Sequence, residues 1–174
     1  MSNNYLISDL HLEHKNVVKF AEKFRPGLGD IDVHDEVLIT NICNRVTKRD
    51  TLWVLGDINF GTRGLEMLSK VPARMMLVRG NHDDRYTTKE LLTVFEEVYG
   101  LVRFKKHWLS HAPIHPDELR GKDNIHGHVH QNSIRTQGGE IDSRYINVCV
   151  EALDGMPINY LDILNGYYHH MRRC

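Results

Sequence analysis

Short apolar runs that end abruptly on polar residues recur along the first half of the chain. Asn4–Ser8 (Asn-Tyr-Leu-Ile-Ser) stops at Asp9, Thr51–Leu55 stops at Gly56-Asp57, and Met75–Val78 leads to Gly80-Asn81-His82-Asp83. Each reads as a buried strand running into a loop. Between them the apolar spacing becomes helical. Positions 17, 18, 20, 21 and 24 share one face of a helix expected over 14–24 and closed by Arg25-Pro26-Gly27. A second helix is expected over 34–46, with Val37, Leu38, Ile42 and Val46 on one side and Asp32 or Asp35 as N-cap, and a shorter one over 64–70.

Beyond Tyr86 the pattern changes. A helix over 88–94 is followed by short strand-like pieces at 96–99, 101–104, 107–110, 124–126 and 145–150. Their close spacing favours antiparallel or mixed pairing over simple crossovers. Alternating units first and clustered strands afterwards predict an α/β fold of two packed sheets with helices outside. The polar, glycine-containing stretch 131–144 reads as a mobile surface loop.

Composition narrows the class. The chain has 174 residues, 41% hydrophobic and 26% charged, which excludes disordered, collagenous and disulfide-scaffold proteins and predicts a single domain over 1–174. No apolar run reaches membrane-span length, and the N-terminus lacks the basic and apolar stretches of a secretory signal, so a cytoplasmic location is the expectation. The net charge of −1, with acids and bases interleaved, does not advertise a polyanion-binding surface. Cys43, Cys149 and Cys174 are widely spaced and read as free thiols rather than a disulfide framework or a thiolate zinc site. Histidine is the anomaly, with 12 residues, several beside Asp, Asn and Gly.

Five polar clusters fall at the ends of predicted strands: Asp9-Leu-His11, Gly56-Asp57, Gly80-Asn81-His82-Asp83, Ser110-His111 and His126-Gly-His128-Val-His130. Loops at the carboxyl ends of strands converge while the strands hold them rigidly, so these clusters can meet in space. Asp-x-His and His-x-His place two side chains on one side of an extended stretch, where both can bind one ion. Taken singly, each pair is as well explained by a capping Asp, an ordinary turn or a solvated His. Together, oxygen and imidazole donors without thiolates suit Mn²⁺, Fe, Zn²⁺, Ni²⁺ or Co²⁺.

These blocks, in this order over residues 9 to 130, resemble the calcineurin-like metallophosphoesterases, and the tail Asn147-Val-Cys-Val-Glu151 with Pro157 resembles the small stand-alone bacterial and phage members. The resemblance implies a four-layer sandwich, two mixed β-sheets flanked by helices, with a dinuclear metal centre at the loop edge, Mn²⁺ favoured. It assigns Asp9, His11, Asp57 and His130 to one metal, Asp57, Asn81, His111 and His128 to the other, and makes Asp57 the bridge. His82 binds neither and stands as general acid or charge stabiliser. His14, His115 and His126 adjoin motif residues and are candidates for lining the site, whereas His34, His107, His169 and His170 read as surface or packing residues. Arg63 is a candidate phosphate contact, with a surface ion pair as the alternative. Phe60 stands where the protein phosphatase branch has an Asp that orients the catalytic His, which argues against protein phosphatase activity.

The activity implied is hydrolysis of small phosphodiesters, cyclic or linear nucleotides, with phosphomonoesters as side substrates, by attack of a metal-bridging hydroxide. A nuclease acting on single strands or ends is the alternative. A non-catalytic protein-interaction scaffold is the competing class.

Overall fold

A computed structural model describes residues 2–21, 23–25 and 29–166. In chain order the elements are β1 (Asn4–Ile7), α1 (Val17–Phe20), α2 (Ile31–Arg45), β2 (Thr51–Val54), α3 (Gly64–Leu68), β3 (Arg74–Val78), α4 (Thr88–Leu91), β4 (Glu97–Tyr99), β5 (Leu101–Phe104), β6 (His107–Ser110), β7 (Asp123–His126), β8 (Tyr145–Asn147), β9 (Ile158–Asn159) and α5 (Tyr160–Leu164). The strands form two mixed sheets, ordered β4-β3-β2-β1-β9 and β5-β6-β7-β8. In the first, β1 to β4 run parallel and β9 antiparallel. In the second, β5 and β6 are antiparallel while β6, β7 and β8 run parallel. The expectation of antiparallel or mixed pairing is therefore met by a mixed sheet, and the 96–99 piece joins the first sheet rather than the later cluster.

The alternation of side chains along a strand explains the layers. Tyr5, Ile7, Leu52, Val54, Met75 and Leu77 face Leu38 and Ile42 of α2 and Leu68 of α3. Their neighbours Leu6, Trp53, Leu55 and Val78 face the other way, onto Leu109, Ile125 and Ile146 of the second sheet. Strands buried on both faces show continuous apolar runs, which is why these were legible. A parallel bridge between Ser8 and Cys149, with Ser8 N–H donating to Val148 O at 2.8 Å, ties the sheets together beside the loop edge.

Several helices depart from expectation. The 14–24 helix is realised only as α1. Val17, Val18 and Ala21 are buried, but Phe20 is 83% exposed, and the backbone N–H groups of Phe24 and buried Arg25 both donate to Ala21 O. Helix α2 starts earlier than its apolar pattern, since its first turn buries His34 and Asp35 rather than aliphatic residues. Its N-cap is Asp30, whose Oδ1 accepts from Asp32 N and Val33 N, and neither Asp32 nor Asp35 fills that role. β9 and α5 had no clear signal in the sequence. Residues 131–141 lie mainly at the surface, and Arg135 and Ile141 pair across a short turn. Pro26, Gly27, His169, His170 and Cys174 lie outside the described residues. Among the described residues no helix is long and apolar enough to cross a membrane.

Candidate metal centre

β1, β2 and β3 are parallel, as are β6 and β7, so their carboxyl ends open onto one edge. The loops there must turn sharply to aim short side chains at a common point. Asp9, His11, Asp57, His128 and His130 all adopt left-handed backbone conformations, with φ between 50° and 70°. Such conformations are uncommon outside glycine, cost free energy, and persist only where the surroundings over-determine them.

Two groups of metal-capable atoms result, Asp9 with His11 and His130, and Asp57 with His111 and His128, each within 4.8 Å. Asp57 Oδ2 lies 3.7 Å from His11 Nε2 and 3.5 Å from His111 Nε2, between the two groups. These separations suit donors that share an ion, since ligand bonds of about 2.1 Å place neighbouring donors about 3 to 3.5 Å apart.

The hydrogen bonds support the same reading. Asp9 Oδ2 accepts from Ser8 Oγ at 2.6 Å, His128 N at 2.8 Å and Cys149 Sγ at 3.1 Å, while Oδ1 has no partner. Both ring nitrogens of buried His11 are also without one. His111 Nδ1–H donates to Leu55 O at 2.7 Å, so its Nε2 carries a lone pair facing Asn81 Oδ1 at 2.9 Å. With a neutral His111 ring these two acceptors face each other, beside His128 Nδ1 at 3.1 Å, an arrangement that a cation among them satisfies. Two divalent cations therefore fit the residues present.

Supporting groups fix the donors. Asp83, fully buried, accepts from Asp57 N and Gly80 N through Oδ2 and from Ile58 N through Oδ1, pinning the loops that carry Asp57 and Asn81. Its burial raises its pKa against these bonds. His130 Nδ1 donates to Glu151 Oε1 at 2.8 Å, leaving Nε2 for the centre, and that carboxylate raises the His130 pKa. A carboxylate behind a ligating His sets its tautomer and orientation. Arg25, buried, donates from Nε to Glu151 Oε1 at 2.7 Å, from Nη2 to Asp9 O and from Nη1 to Leu10 O. Burial alone would raise the Asp9 and Glu151 carboxyls, but the His11 imidazole 3.6 Å away, the His111 ring and the Ser8 hydroxyl on Asp9, and the His130 hydrogen bond and Arg25 charge on Glu151, hold both below their ordinary values.

The sequence pattern assigns no role at the centre to Glu151, Arg25, Ser8, Cys149 or Asp83. A charge closing the apolar run Val148-Cys-Val-Glu151 was the available signal for Glu151. Arg25 offered none, because its partners are remote in the chain.

The remaining candidates fall in different places. His82 is exposed. Its backbone N–H donates to Asp57 Oδ1 at 3.0 Å, and its ring centroid lies 4.8 Å from Phe60 and 6.1 Å from His11. Among the described residues no carboxylate bonds its ring, so Phe60 supplies packing where an orienting Asp would supply a hydrogen bond. His14 stacks on Phe60 at 4.1 Å and borders the centre. Arg63 pairs with Glu13 and Asp32 and lines a separate cavity of about 510 Å³ that also touches Ile39 and Met67. His115 is exposed and caps the turn at 116–118. His126 is buried beneath the loop, its Nδ1–H donating to Gly127 O. His34 and His107 are buried and hydrogen-bonded, His34 through Nδ1 to Asp35 Oδ1 at 2.8 Å and through Nε2 with Arg25 Nη1 at 3.2 Å, and His107 through Nδ1 with Tyr160 Oη at 3.0 Å. Cys43 and Cys149 are free thiols.

Two expected results test this architecture. A Cβ on Gly127 would lie 1.9 Å from Ser8 Oγ and 2.3 Å from Asp9 Oδ2. Gly127→Ala is expected to destabilise the metal-free protein by about 1–3 kcal/mol in urea titrations and to weaken metal retention. Unchanged stability and metal content would refute the close packing. The second result concerns pH. Burial, followed by the charges of His11 and Arg25, lowers the His14 pKa from 6.5 to about 4. The folded state then binds this proton less readily than the unfolded chain, so the His14 contribution is complete above pH 6.5 and is lost as pH falls through about 4. His14→Gln should flatten the stability profile in that window in the presence of chelator, and an unaltered slope would contradict the assignment.

The fold and this edge define an α/β protein with paired Asp/His clusters suited to two metal ions. The chain belongs to the family of the Gene 66 protein of Mycobacterium phage L5, with 32% identity over 188 residues covering 87% of this chain and 88% of that protein. It is also 30% identical to the uncharacterized protein MJ1445 of Methanocaldococcus jannaschii, over 94% of this chain and 90% of that one. In solved structures it resembles the protein of unknown function AQ665 from Aquifex aeolicus, with a TM-score of 0.70, 27% identity, and coverage of 95% and 99% of the two chains. No protein-family model matches the chain.

Proposed function

We propose that the protein is a metal-dependent phosphoesterase acting on small phosphodiesters, cyclic or linear nucleotides, with phosphomonoesters as side substrates and Mn²⁺ as the favoured ion. The observation that carries this reading is the placement of Asp57 Oδ2 between the His11 and His111 nitrogens, beside a second carboxylate oxygen, Asp9 Oδ1, that has no partner. When bound, two divalent cations supply Lewis acidity to phosphoryl oxygens and a nucleophile derived from water. Asp9, His11, Asp57 and His130 would hold one ion, and Asp57, Asn81, His111 and His128 the other. His82 is left to give a proton, or a hydrogen bond, from its ring N–H to the departing oxygen. Its exposed ring beside Phe60 supports that role. A nuclease acting on single strands or ends is the second reading, favoured by the groove described below.

The test is turnover of bis(nitrophenyl) phosphate, cyclic nucleotides, dinucleotides and monoesters by Mn²⁺-loaded protein, alongside metal analysis. Absence of turnover on every ester with two metals bound would support the non-catalytic scaffold. General acid catalysis contributes about 10² to 10⁴ in rate and less for good leaving groups. His82→Ala is therefore expected to keep its metals, to lose most activity on nucleotide diesters and to lose distinctly less on a nitrophenyl ester. Equal loss on all leaving groups would point to charge stabilisation instead, and lost metal would make His82 a ligand.

A further inference from the structure

Beside Asn81, His111 and His128 the surface opens into a groove that leads away from the metal-capable clusters. Its first part, a cavity of about 540 Å³, runs from those side chains along Leu101, Pro113 and Ile114. A second cavity of about 420 Å³ shares Leu101 and Ile114 and continues past Trp108 to Arg120. Each volume lies in the range of sites that enclose small organic ligands, roughly 300–1,000 Å³.

The walls are set by strand parity. Leu109 points into the core between the sheets, so Trp108 points outward, and its Nε1–H donates to Leu119 O at 3.2 Å. Tyr145 Oη donates to Ile114 O at 2.7 Å, fixing the opposite rim. Arg103 stands directly across from Trp108 in the β5–β6 register and therefore on the same face. Leu101, 50% exposed, forms an apolar floor at the start of an edge strand.

Charge follows the same geography. Residues 101–122 hold five basic side chains, Arg103, Lys105, Lys106, Arg120 and Lys122, against Asp117 and Glu118, a local charge of +3. The rest of the chain then has 17 basic residues against 21 acidic ones, or −4, so the overall −1 conceals a basic segment. Within it Arg120 is paired with Glu118 at 3.1 Å and Lys105 lies over the Tyr160 ring, while Arg103 is exposed on the groove face.

We propose that this groove binds the nucleoside adjoining the scissile phosphate of a short single-stranded nucleotide diester, with Leu101, Trp108 and Ile114 against the base and Arg103 and Arg120 near the next phosphate. The inference rests on the phosphoesterase reading and deepens it. A nucleoside presents a flat, weakly hydrated ring on a charged backbone, and stacking on apolar and aromatic side chains with cations alongside is how single strands are held without sequence preference. The groove combines these elements and begins at the candidate metal centre, where the phosphate would sit.

The test is fluorescence anisotropy of fluorescein-labelled tetrathymidylate titrated into full-length protein with chelator present, paired with KM and kcat for the same strand in Mn²⁺. Leu101→Asp should weaken binding and raise KM about tenfold or more, with kcat within about threefold. Arg103→Ala should lower the slope of log affinity against log salt by about one. Lys89→Ala, in α4, should leave both unchanged. Circular dichroism of each variant separates loss of the groove from loss of the fold. If Leu101→Asp folds and binds the strand as tightly as the wild type, the groove assignment is overturned. If bis(nitrophenyl) phosphate is hydrolysed but the strand does not bind, the groove inference fails while the phosphoesterase reading stands. Groove-dependent binding without turnover of any ester would overturn the phosphoesterase reading alone.

Discussion

Asp57→Asn should lose metal and about 10³-fold or more in phosphodiester turnover, because several kcal/mol of charge stabilisation depends on ions that this carboxylate would hold together. The substitution is nearly isosteric. An Asn oxygen can still accept from His82 N, as Asp57 Oδ1 does at 3.0 Å, so the loop should keep its shape. What disappears is the negative charge at Oδ2, the atom that lies within 3.7 Å of nitrogens from both groups. Asn81→Ala, which removes one neutral donor from one group, should cost less. Metal content after gel filtration, measured beside turnover, checks both variants. Two retained metal equivalents with near-normal rates in Asp57→Asn would refute the shared carboxylate.

Arg25→Met is expected to destabilise the metal-free protein by about 3–5 kcal/mol, the range for breaking a buried ion pair from one side. The Arg25 and Glu151 side chains are both fully buried, 2.7 Å apart, and the same guanidinium satisfies the carbonyls of Asp9 and Leu10. Removing it leaves the buried Glu151 carboxylate with His130 in place of its guanidinium partner and strands two carbonyls away from water. The Glu151→Gln change in the Arg25→Met background should restore part of the loss, since no buried charge is then left over. Glu151→Gln alone should lower metal affinity about 10- to 100-fold through the orientation of His130. Urea titrations in chelator and metal titrations check these values. A loss under about 1 kcal/mol for Arg25→Met would show that the pair is not holding this edge.

Elements with a strong local signal were legible from the chain itself. The strands ending at Ile7, Val54 and Val78 are buried on both faces over most of their length, so Tyr5–Ile7, Leu52–Leu55 and Met75–Val78 are continuous apolar runs, and the polar or glycine residues that follow them marked the loop edge. The two-residue strand Ile158–Asn159 and the helix Tyr160–Leu164 were not, because runs this short carry no usable period. The apolar spacing predicts a helix as far as 24 because Phe20 and Phe24 fit it, yet the tertiary structure leaves both exposed and buries Arg25 instead.

The same division holds at the candidate site. Which residue types stand at the ends of which strands, oxygen and imidazole donors without thiolates, is written in the order of the chain. That order does not contain distance. The left-handed turns at Asp9, His11, Asp57, His128 and His130 were decided by the tertiary structure, as were the pairing of Glu151 with His130 and the burial of Arg25. The physical reason is that each depends on contacts between segments far apart in sequence, such as Glu151 with Arg25, 126 positions away. Local propensity acts over a few residues, and only the packed sheets bring such partners within a hydrogen bond of one another.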